Sequence, residues 1–540
     1  MTMALRELKI GASGVRGVVG DALTPELIVS FACAFGTWCG GSPVLIGRDT
    51  RRSSPAFRAA VVSGLLSTGC RVVDLGVCPS PLVSFAIRDL GASGGIAITG
   101  SHNDASWNAL KFFGPDGALL NAARNEELLD VYHGASFDLA TWDRLKAARS
   151  CAAPITLFDA SGFSTRIAAE VKDVDRLPPL DDRKLLKYAN RSHRFALAAA
   201  DQAIADAGIR PNAQDRTRWS CVVGTGMMTV AYDELAAVQA TAAPEGELLP
   251  DRLLDVPTAN DPMAFARSQS TAGVSLLLRR FGIGGYASSV HTACASGGQA
   301  VGTAMRLIRR GVADRVLTGG FDSMISPVGL SGFCLLSAVS PDNDAPERAS
   351  RPFDLTRNGF VLGEGAGFLV LEEWGSAVRR GATIYAELAG DGNSLSSYRI
   401  TDSHPSGDGP IQAMRRAIAD AGAVAADVDY LNAHGTSTPM NDRSEAAAAK
   451  VVFGERVGTV AVSSTKSVMG HLIAAAGAVE AVVCTLAIRE STLPINANLR
   501  DIDPDCAHLD IVRDAPRKQR VRIALSNSLG FGGSNSCLAF

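Results

Sequence analysis

Cys294 lies in a run of small residues, Ser288-Ser-Val-His-Thr-Ala-Cys-Ala-Ser-Gly-Gly298, between a predicted strand and a predicted helix over Gly297 to Arg310. A thiol at the first turn of a helix faces unpaired backbone N–H groups and the positive end of the helix dipole, which lower its pKa and favour the thiolate. The same N–H groups can hold an oxyanion. By frequency alone a single cysteine is more often inert and buried, so a catalytic role depends on its neighbours.

Two of the eight histidines stand in unusual surroundings. His434 follows a predicted strand in Asn432-Ala-His-Gly-Thr-Ser-Thr-Pro439, and His471 ends the run Lys466-Ser-Val-Met-Gly-His, just before an Ala-rich helix. Each alone would more often be a hydrogen-bonded core group than a catalyst. A glycine-rich loop, Ser526-Asn-Ser-Leu-Gly-Phe-Gly-Gly-Ser534, follows the last predicted strand and can bring backbone N–H groups close to a ligand. Together these features favour a nucleophilic role for Cys294.

Composition excludes several classes of protein. A chain of 540 residues is expected to contain two or more cores, and a formal charge of −3 gives no basic field for nucleic acid or an anionic membrane. Eleven cysteines without a C-x-x-C pair argue against disulfides and structural zinc. No apolar run reaches the roughly 18 to 20 residues of a spanning helix. We therefore predict a soluble, cytoplasmic enzyme with no metal site, no nucleic-acid partner and no membrane segment.

The elements that must position these residues alternate between strands and helices. The first ~135 residues alternate strand-like and helix-like segments, a pattern typical of a parallel sheet. Strands are predicted at Pro43 to Gly47, Cys70 to Leu75 and Gly95 to Thr99, and a helix at Ser53 to Ser67. Polar and small residues predominate from Ala135 to Thr156, and we place a domain boundary near residue 138. The later strands are predicted at Ser220 to Val223, Arg315 to Thr318, Gly367 to Leu371, Asp429 to Ala433, Thr459 to Val462 and Arg522 to Ser526. The helices between them are predicted at Ser192 to Ala207, Gly297 to Arg310, Pro410 to Ala421 and Ile473 to Ile488.

Residues ~142 to 540 resemble an elongating β-ketoacyl-[acyl-carrier-protein] synthase. The matching motifs, in the order of that family, are the TACASG turn at Cys294, the run from Arg351 to Gly367, the AHGTSTP loop at His434, the stretch from Lys466 to Glu480, and the terminal NSLGFGGSN. The resemblance implies an α/β, thiolase-like layered fold (αβαβα) preceded by a smaller α/β module. The expected domains are 1–137, 138–390 for the first synthase half and 391–540 for the second half.

The resemblance also implies roles for individual residues. Cys294 would take an acyl chain from a carrier-protein thioester, and the backbone N–H groups of Cys294 and Phe531 would form the oxyanion hole. The Phe531 side chain would gate entry of the extender. His434 and His471 would hold the malonyl thioester carbonyl while carbon dioxide leaves, and the enolate would attack the acyl group to give a 3-oxoacyl carrier protein.

Further expectations concern the surroundings of the site and its partners. Lys466 and Glu480 would pair and order the site around His471, which we favour over the alternative of an ordinary surface pair of little energy. No cofactor is expected to bind, because the substrates arrive on the phosphopantetheine of an acyl carrier protein. The resemblance implies a homodimer, and Arg309 and Arg310 are candidates for carrier docking near the tunnel mouth.

One part of the family pattern has no counterpart. The family opens with a strand and turn of the type VVVTGLGxVSPLG, and nothing similar precedes Thr141. We expect that strand to lie centrally in the first half's sheet, so its loss would leave backbone groups unpaired in a core. Our hypothesis is that an upstream segment replaces it, either Gly95 to Thr99 or Cys70 to Leu75.

Residues ~5 to 132 resemble the first domain of the α-D-phosphohexomutases. The motifs are Gly11-Ala-Ser-Gly-Val-Arg-Gly17, Gly47-Arg-Asp-Thr-Arg51, Thr99-Gly-Ser-His-Asn103 and Trp107 to Gly117. Ser101 matches the phosphoserine of that family, and its matched neighbours are His102, Arg16 and Lys111. The magnesium, sugar and phosphate loops of the three later mutase domains do not appear in the sequence. We therefore expect no mutase turnover, and at most residual phosphate binding.

Three functions remain open from sequence. The first is a decarboxylative condensing enzyme of fatty-acid or polyketide synthesis, which the complete motif set favours. The second is sugar-phosphate binding or mutase activity through the N-terminal module. The third is a non-catalytic scaffold or pseudo-synthase, which the sequence does not separate from the first.

Overall fold

The computed structural model describes most of the chain as two compact units, 1–140 and 141–540. The described residues are 9–11, 14–40, 43–101, 103–104, 106–121, 124, 128, 137–172, 174, 177, 183–226, 231–243, 246–256, 261, 263–399 and 404–540. No helix among them is both long enough and apolar enough to cross a lipid bilayer.

The first unit contains a six-stranded sheet with helices packed against it. Its strands are β1 (Lys9–Gly11), β2 (Gly14–Val18), β3 (Val44–Arg48), β4 (Val72–Val77), β5 (Gly94–Ile98) and β6 (Trp107–Phe113), in the order β1-β2-β6-β5-β3-β4. Its helices are α1 (Pro25–Trp38), α2 (Ser54–Ser67) and α3 (Ser80–Asp89). β3 runs parallel to β4 and β5, as the sequence rhythm predicts. The core is largely aliphatic and includes a few phenylalanines, among them Phe35 and Phe112, whose ring centroids are 5.1 Å apart.

The second unit has two main sheets. Its strands are β7 (Ala153–Pro154), β8 (Ile167–Ala169), β9 (Trp219–Thr225), β10 (Ala287–Val290), β11 (Arg315–Asp322), β12 (Leu362–Gly363), β13 (Gly365–Glu372), β14 (Gly390–Leu395), β15 (Tyr430–Asn432), β16 (Ala461–Ser463), β17 (Thr492–Leu493), β18 (Asp510–Ile511), β19 (Arg517–Lys518), β20 (Ala524–Leu529) and β21 (Ser534–Ala539). One sheet has the order β10-β9-β11-β13 and the other β14-β21-β20-β15-β16-β18. The six later strands predicted from sequence are all present.

The helices of this unit form three layers around the two sheets. They are α4 (Phe137–Lys146), α5 (Arg183–Leu186), α6 (Arg191–Asp206), α7 (Tyr232–Ala242), α8 (Ala264–Ser268), α9 (Ala272–Phe281), α10 (Ser296–Arg309), α11 (Pro327–Leu335), α12 (Pro346–Ala349), α13 (Trp374–Arg379), α14 (Asp408–Asp420), α15 (Pro439–Phe453), α16 (Lys466–Met469) and α17 (Ala476–Glu490). Helices α10 and α17 lie between the sheets and contact both. Helices α6 and α9 cover the outer face of the first sheet, and α14 packs on the outer face of the second. This is the predicted αβαβα layering.

The two central helices begin against each other, which brings their N-terminal turns together. A Cβ on Gly297 would lie 2.7 Å from the backbone nitrogen of Ala478, and a Cβ on Gly477 would lie 2.7 Å from that of Gly298. Any side chain at these two positions would push the helices apart. The turns that carry Cys294 and His471 directly precede these helix starts, so the glycines set the distance between the two halves of the site.

The two main sheets repeat one strand order. β10, β9 and β11 are parallel and β13 is antiparallel to β11; in the other sheet β16, β15 and β20 are parallel and β21 is antiparallel to β20. The second sheet has one more strand, β14, which pairs antiparallel with β21. The position equivalent to β14 in the first sheet is therefore the outer edge of β13.

The hypothesis of a replacement strand from upstream is wrong for both segments named above. Gly95 to Thr99 and Cys70 to Leu75 correspond to β5 and β4, which belong to the sheet of the first unit. The expectation of a central position is also wrong, because the counterpart strand β14 lies at an edge, where its loss breaks no inner pairing. An edge strand can be lost because the backbone groups of the one neighbouring strand can then bond to water. Loss of a central strand would leave unpaired backbone groups on both sides inside the core.

This difference predicts unequal protection of two equivalent strands. In the described part of the chain β13 pairs on one side only, whereas β21 pairs on both sides. We expect alternate amides of half-buried Leu369 to Leu371 to exchange with deuterium at least about tenfold faster than the amides of Ser536 to Leu538. Amide-resolved hydrogen exchange measures this. Equal protection of both strands would show that a further segment covers β13.

Candidate active site

Cys294 is positioned by a tight turn between a strand and a central helix. It lies in the 3₁₀ turn Ala293–Ala295, after β10 and directly before α10. Ala293 has a φ of +49°, in the left-handed region that non-glycine residues seldom adopt. The turn is held by the Ser296 hydroxyl, which donates to the Ala293 carbonyl at 2.7 Å and accepts from the Thr292 N–H at 2.9 Å. Cys294 is 5% exposed.

The two histidines come from loops at the ends of β15 and α16. The backbone N–H groups of His434 and Gly435 each donate to the buried carboxylate of Glu445 at 2.8 Å, which fixes the first loop. The backbone N–H of His471 donates to the Val361 carbonyl at 2.7 Å, which fixes the second. Both imidazoles are 2% exposed. The loop that carries each ring is therefore fixed by backbone hydrogen bonds.

The structure brings the three predicted side chains into contact. Nε2 of His471 lies 3.1 Å from Sγ of Cys294. The ring centroids of His434 and His471 are 5.2 Å apart at an interplanar angle of 84°, and one ligand-type atom from each of the three residues lies within 4.8 Å of the others. A soft metal ion could fit such a set, but the positive charge of Lys466, which lowers the pKa of both imidazoles, would repel it.

One hydrogen bond determines which nitrogen of His471 carries the proton. The backbone N–H of Ile473 donates to Nδ1 of His471 at 3.2 Å. Since Nδ1 accepts, the neutral ring carries its proton on Nε2, the atom that faces the sulfur. His471 therefore presents an N–H donor to the reaction centre.

Both imidazoles are neutral at pH 7. Burial lowers the pKa of His434 well below 6.5, the charge of Lys466 lowers it further, and protonation of His471 would lower it again. Burial and Lys466 do the same for the pKa of His471. Phe360 packs edge-on against His471 with ring centroids 5.2 Å apart and helps to keep water away from it. A neutral ring in this setting can donate one hydrogen bond but holds no permanent charge.

The prediction of a resting thiolate is wrong. Burial raises the pKa of the Cys294 thiol to about 12, and the negative charge of Asp322 adds to the increase. Lys466 and the backbone N–H groups of Phe531 and Cys294 lower the thiol pKa, but by less than burial raises it. The helix terminus lowers the thiol pKa, but desolvation in the closed site raises it by more.

The predicted pair of Lys466 and Glu480 lies in the core rather than at the surface. Both side chains are 1% exposed, and Nζ of Lys466 forms an ion pair with Oε1 of Glu480. Burial raises the pKa of Glu480 to about 7, against the opposing effect of the Lys466 ammonium group. The pair thus supplies a fixed charge beside the two imidazoles.

Sequence reasoning missed two buried acids of this site. Glu445 anchors the His434 loop and also accepts from Nδ2 of Asn527 at 3.0 Å. Asp322, at the end of β11, accepts the N–H of Ala474 at 3.0 Å. An acid at the end of a largely apolar strand was the signal available for Asp322, whereas Glu445 stands among other charged residues of its helix and had no such signal.

Phe531 lies on the glycine-rich loop, where the resemblance places the oxyanion hole. The loop closes through the Gly530 N–H, which donates to the Ser534 carbonyl at 2.7 Å. The Phe531 N–H reaches the Cys294 sulfur closely enough to lower the thiol pKa. Arg309 is the last residue of α10 and Arg310 follows it, about 20 Å along the helix from Cys294. The Arg309 guanidinium forms an ion pair with Asp420.

The N-terminal residues form a separate cluster around a tightly held loop. Arg51 donates to the carbonyl groups of Ser101, Asn103 and Trp107 at 3.1, 2.7 and 3.0 Å. Ser101 is exposed and has a φ of +53°. The next predicted member, His102, lies outside the described residues. The remaining two members, Arg16 on β2 and Lys111 on β6, are half-buried, and the strand register places their side chains on one face of the sheet.

The sequence matches three family models in order. Residues 133–377 match the β-ketoacyl synthase N-terminal domain, and residues 385–500 match the β-ketoacyl synthase C-terminal domain. Residues 7–138 match phosphoglucomutase/phosphomannomutase α/β/α domain I. A 3-oxoacyl-[acyl-carrier-protein] synthase 2 from Coxiella burnetii is 40% identical over 402 residues, which cover 74% of this chain and 92% of that protein. The chain belongs to the β-ketoacyl synthase family.

Other relatives of this synthase include polyketide ketosynthases. A putative polyketide β-ketoacyl synthase 1 from Streptomyces cyaneus is 39% identical, over 74% of this chain and 93% of that protein. Among solved structures, a β-ketoacyl synthase from Burkholderia phymatum has a TM-score of 0.66 and 32% identity, covering 74% of this chain and 93% of that one. A type II polyketide ketosynthase solved in complex with its acyl carrier protein also has a TM-score of 0.66, with 29% identity over the same shares. The chain is thus a condensing acyltransferase of fatty-acid or polyketide synthesis with a thiolase-like fold, as predicted.

Proposed function

We propose that Cys294 is the nucleophile that accepts the acyl chain in this synthase. The 3.1 Å contact between its sulfur and Nε2 of His471 is the observation that carries the proposal. Sγ attacks the thioester carbonyl, the new S–C bond forms, and the bond to the phosphopantetheine sulfur breaks. The thiol proton ends on that leaving sulfur. The backbone N–H groups of Cys294 and Phe531 stabilise the tetrahedral oxyanion, a contribution of several kcal/mol for such donors.

In the second half of the reaction the two imidazoles act on the malonyl extender. Donors from His434 and His471 hold the malonyl thioester carbonyl, and the bond between the methylene carbon and the carboxylate breaks. Carbon dioxide leaves, and its bonding pair remains on the enolate. The enolate carbon then attacks the acyl carbonyl and the bond to Cys294 breaks. The released thiolate takes up a proton from water, and a 3-oxoacyl carrier protein leaves. Neutral rings suit this step because they stabilise charge only as it develops.

A high resting thiol pKa is compatible with this order of events. A thiolate formed before substrate arrives would be a buried charge held only by Lys466 and a few N–H donors. Deprotonation during attack avoids that state, because the charge passes at once to the oxyanion. Lys466 and Glu480 are proposed to fix the electrostatic field at the rings, and Phe531 is proposed to gate access to them.

The partners of the synthase are also part of the proposal. An acyl carrier protein delivers both substrates on phosphopantetheine, which fits a reaction centre that lies beneath the protein surface. A homodimer is supported by β10, which in the described residues pairs only with β9 and leaves one edge free. The half-buried residues of that strand are available for pairing with a second copy.

For the N-terminal unit we propose a structural or docking role without mutase turnover. Ser101 and the nearby arginine and lysine residues are the kinds of groups that contact phosphate. Magnesium ions in phosphoryl-transfer sites are held by carboxylates, and the magnesium loop of the later mutase domains has no counterpart in the sequence. The domain order 1–137, 138–390 and 391–540 remains our assignment.

Mass spectrometry of the acylated protein tests the central proposal. Incubation with an acyl carrier thioester is expected to add the acyl mass to a peptide containing Cys294, and Cys294→Ala is expected to remove that signal. Cys221→Ala provides a matched control, because Cys221 is also buried and its position on β9 is outside the three-residue cluster. Folded protein that gains no acyl mass would favour the scaffold alternative.

A further inference from the structure

A buried carboxylate without a cationic partner lies beside the reaction centre. Asp322 ends β11 and is 3% exposed. Its Oδ2 accepts the N–H of Ala474 at 3.0 Å, and its Oδ1 accepts the N–H of Ser323 at 2.9 Å. In the described part of the chain no lysine or arginine contributes to holding its charge. Burying a carboxylate without a counter-charge costs folding free energy. The two backbone hydrogen bonds offset part of that cost, so the turn that supplies one of them must be well placed.

The turn that Asp322 contacts is the one that orients His471. In the 3₁₀ turn Ile473–Ala475, two consecutive N–H groups have different acceptors. The N–H of Ile473 donates to Nδ1 of His471, and the N–H of Ala474 donates to Asp322. Ile473 has a φ of +47°, which is strained for a β-branched side chain. A strained turn persists only when neighbouring contacts hold it, and the carboxylate of Asp322 is such a contact.

We propose that Asp322 is a positioning residue, which holds the Ile473–Ala475 turn and thereby keeps the N–H of His471 directed at the reaction centre. This inference rests on the proposed roles of His471 and Cys294. Asp322 acts through the turn and is not placed in contact with substrate. Without its carboxylate the Ala474 N–H loses its acceptor, the turn relaxes, and the Ile473 N–H no longer fixes the proton of His471 on Nε2.

Asp322 has a second, opposite effect on the nucleophile. Its negative charge raises the pKa of the Cys294 thiol. Burial and the charge of Glu364 raise the pKa of Asp322 itself to about 7. His193 lines the same small polar cavity as Asp322 and is neutral, because burial lowers its pKa to about 4. Removing the charge of Asp322 should therefore make the thiol more acidic while it disturbs the histidine.

The substitution Asp322→Asn tests the proposal with two readouts, the rate of malonyl decarboxylation and the pH midpoint of Cys294 alkylation. It keeps the size of the side chain but turns an N–H₂ group toward one of the two backbone donors. We expect the release of carbon dioxide from malonyl carrier protein to slow by about tenfold or more. We also expect the pH midpoint of Cys294 alkylation by iodoacetamide to shift downward by about half a unit or more, because a neighbouring negative charge is lost.

Control variants separate positioning from general destabilisation. Asp354→Asn removes a similarly buried carboxylate, which accepts the N–H groups of Arg500 and Asp501 away from the site, and should leave both readouts unchanged. Asp322→Glu should restore the alkylation midpoint but not the decarboxylation rate, because the longer side chain misplaces the carboxylate.

The outcomes distinguish failure of this inference from failure of the proposed function. An active wild-type protein with an Asp322→Asn variant of the same decarboxylation rate would overturn the inference alone. A wild-type protein that neither gains acyl mass nor releases carbon dioxide would overturn the proposed function. In that case an unchanged alkylation midpoint would overturn the inference as well. A slower rate together with a midpoint that falls by several units, to the range of about 8.5 of an exposed thiol, would indicate general loss of structure and would also overturn it, because burial is what raises the thiol pKa.

Discussion

Replacing His434 by alanine is expected to slow malonyl decarboxylation by about 10² to 10³-fold, the range found when one donor to a developing oxyanion is removed. Acyl transfer to Cys294 should change much less, because the imidazole that contacts the sulfur in the described residues is that of His471. His471→Ala should slow both half-reactions, since its Nε2 lies 3.1 Å from the sulfur. The rates of carbon dioxide release and of acyl mass gain, measured separately, check this difference.

The asymmetry between the two histidines is the informative part of the experiment. His434→Asn should recover part of the lost rate, because an amide retains an N–H donor without the ring. His404→Ala is a control, since His404 is half-buried and bonds to the Ser406 hydroxyl outside the site. Equal losses in both half-reactions for His434→Ala would contradict the division of roles.

Both imidazoles could be placed in the site from sequence because their motifs are local. Each histidine stands in a short run of small and hydroxyl residues whose order matches a known family, so a contact with Cys294 could be predicted without coordinates. The strands and helices that hold these runs also followed from residue periodicity, as with β11 and α10. Residue periodicity and the order of the motifs therefore predict most of the fold.

The properties that sequence did not predict depend on burial and on long-range pairing. The Cys294 turn resembled an exposed helix start, but the closed site raises the thiol pKa to about 12. Lys466 and Glu480 could have been a surface pair, and only packing shows that they are in the core. The edge position of the lost strand became visible only from the pairing of β14 with β21 in the second sheet. Each of these facts arises from residues distant in sequence.

The buried pair also carries the largest expected effect on stability. Lys466→Met leaves the Glu480 carboxylate in the core without its counter-charge, which typically costs about 3 to 5 kcal/mol of unfolding free energy. The double variant Lys466→Met/Glu480→Gln should recover most of this loss, because no charge then remains buried. Guanidinium denaturation of the three proteins measures the differences. Equal stability of the single and double variants would contradict the argument.

The pH dependence of that loss has a definite sign. In the wild-type protein burial already raises the pKa of Glu480 from about 4.5 to about 7, and loss of the Lys466 ammonium group should raise it further. A carboxyl whose folded-state pKa is raised binds its proton more tightly in the folded state, so the penalty is absent below about pH 4.5 and complete only above the folded-state pKa. Lys466→Met should therefore lose much less stability at pH 5 than at pH 8. An equal loss at both pH values would mean that packing, and not the charge of Glu480, is what Lys466 supports.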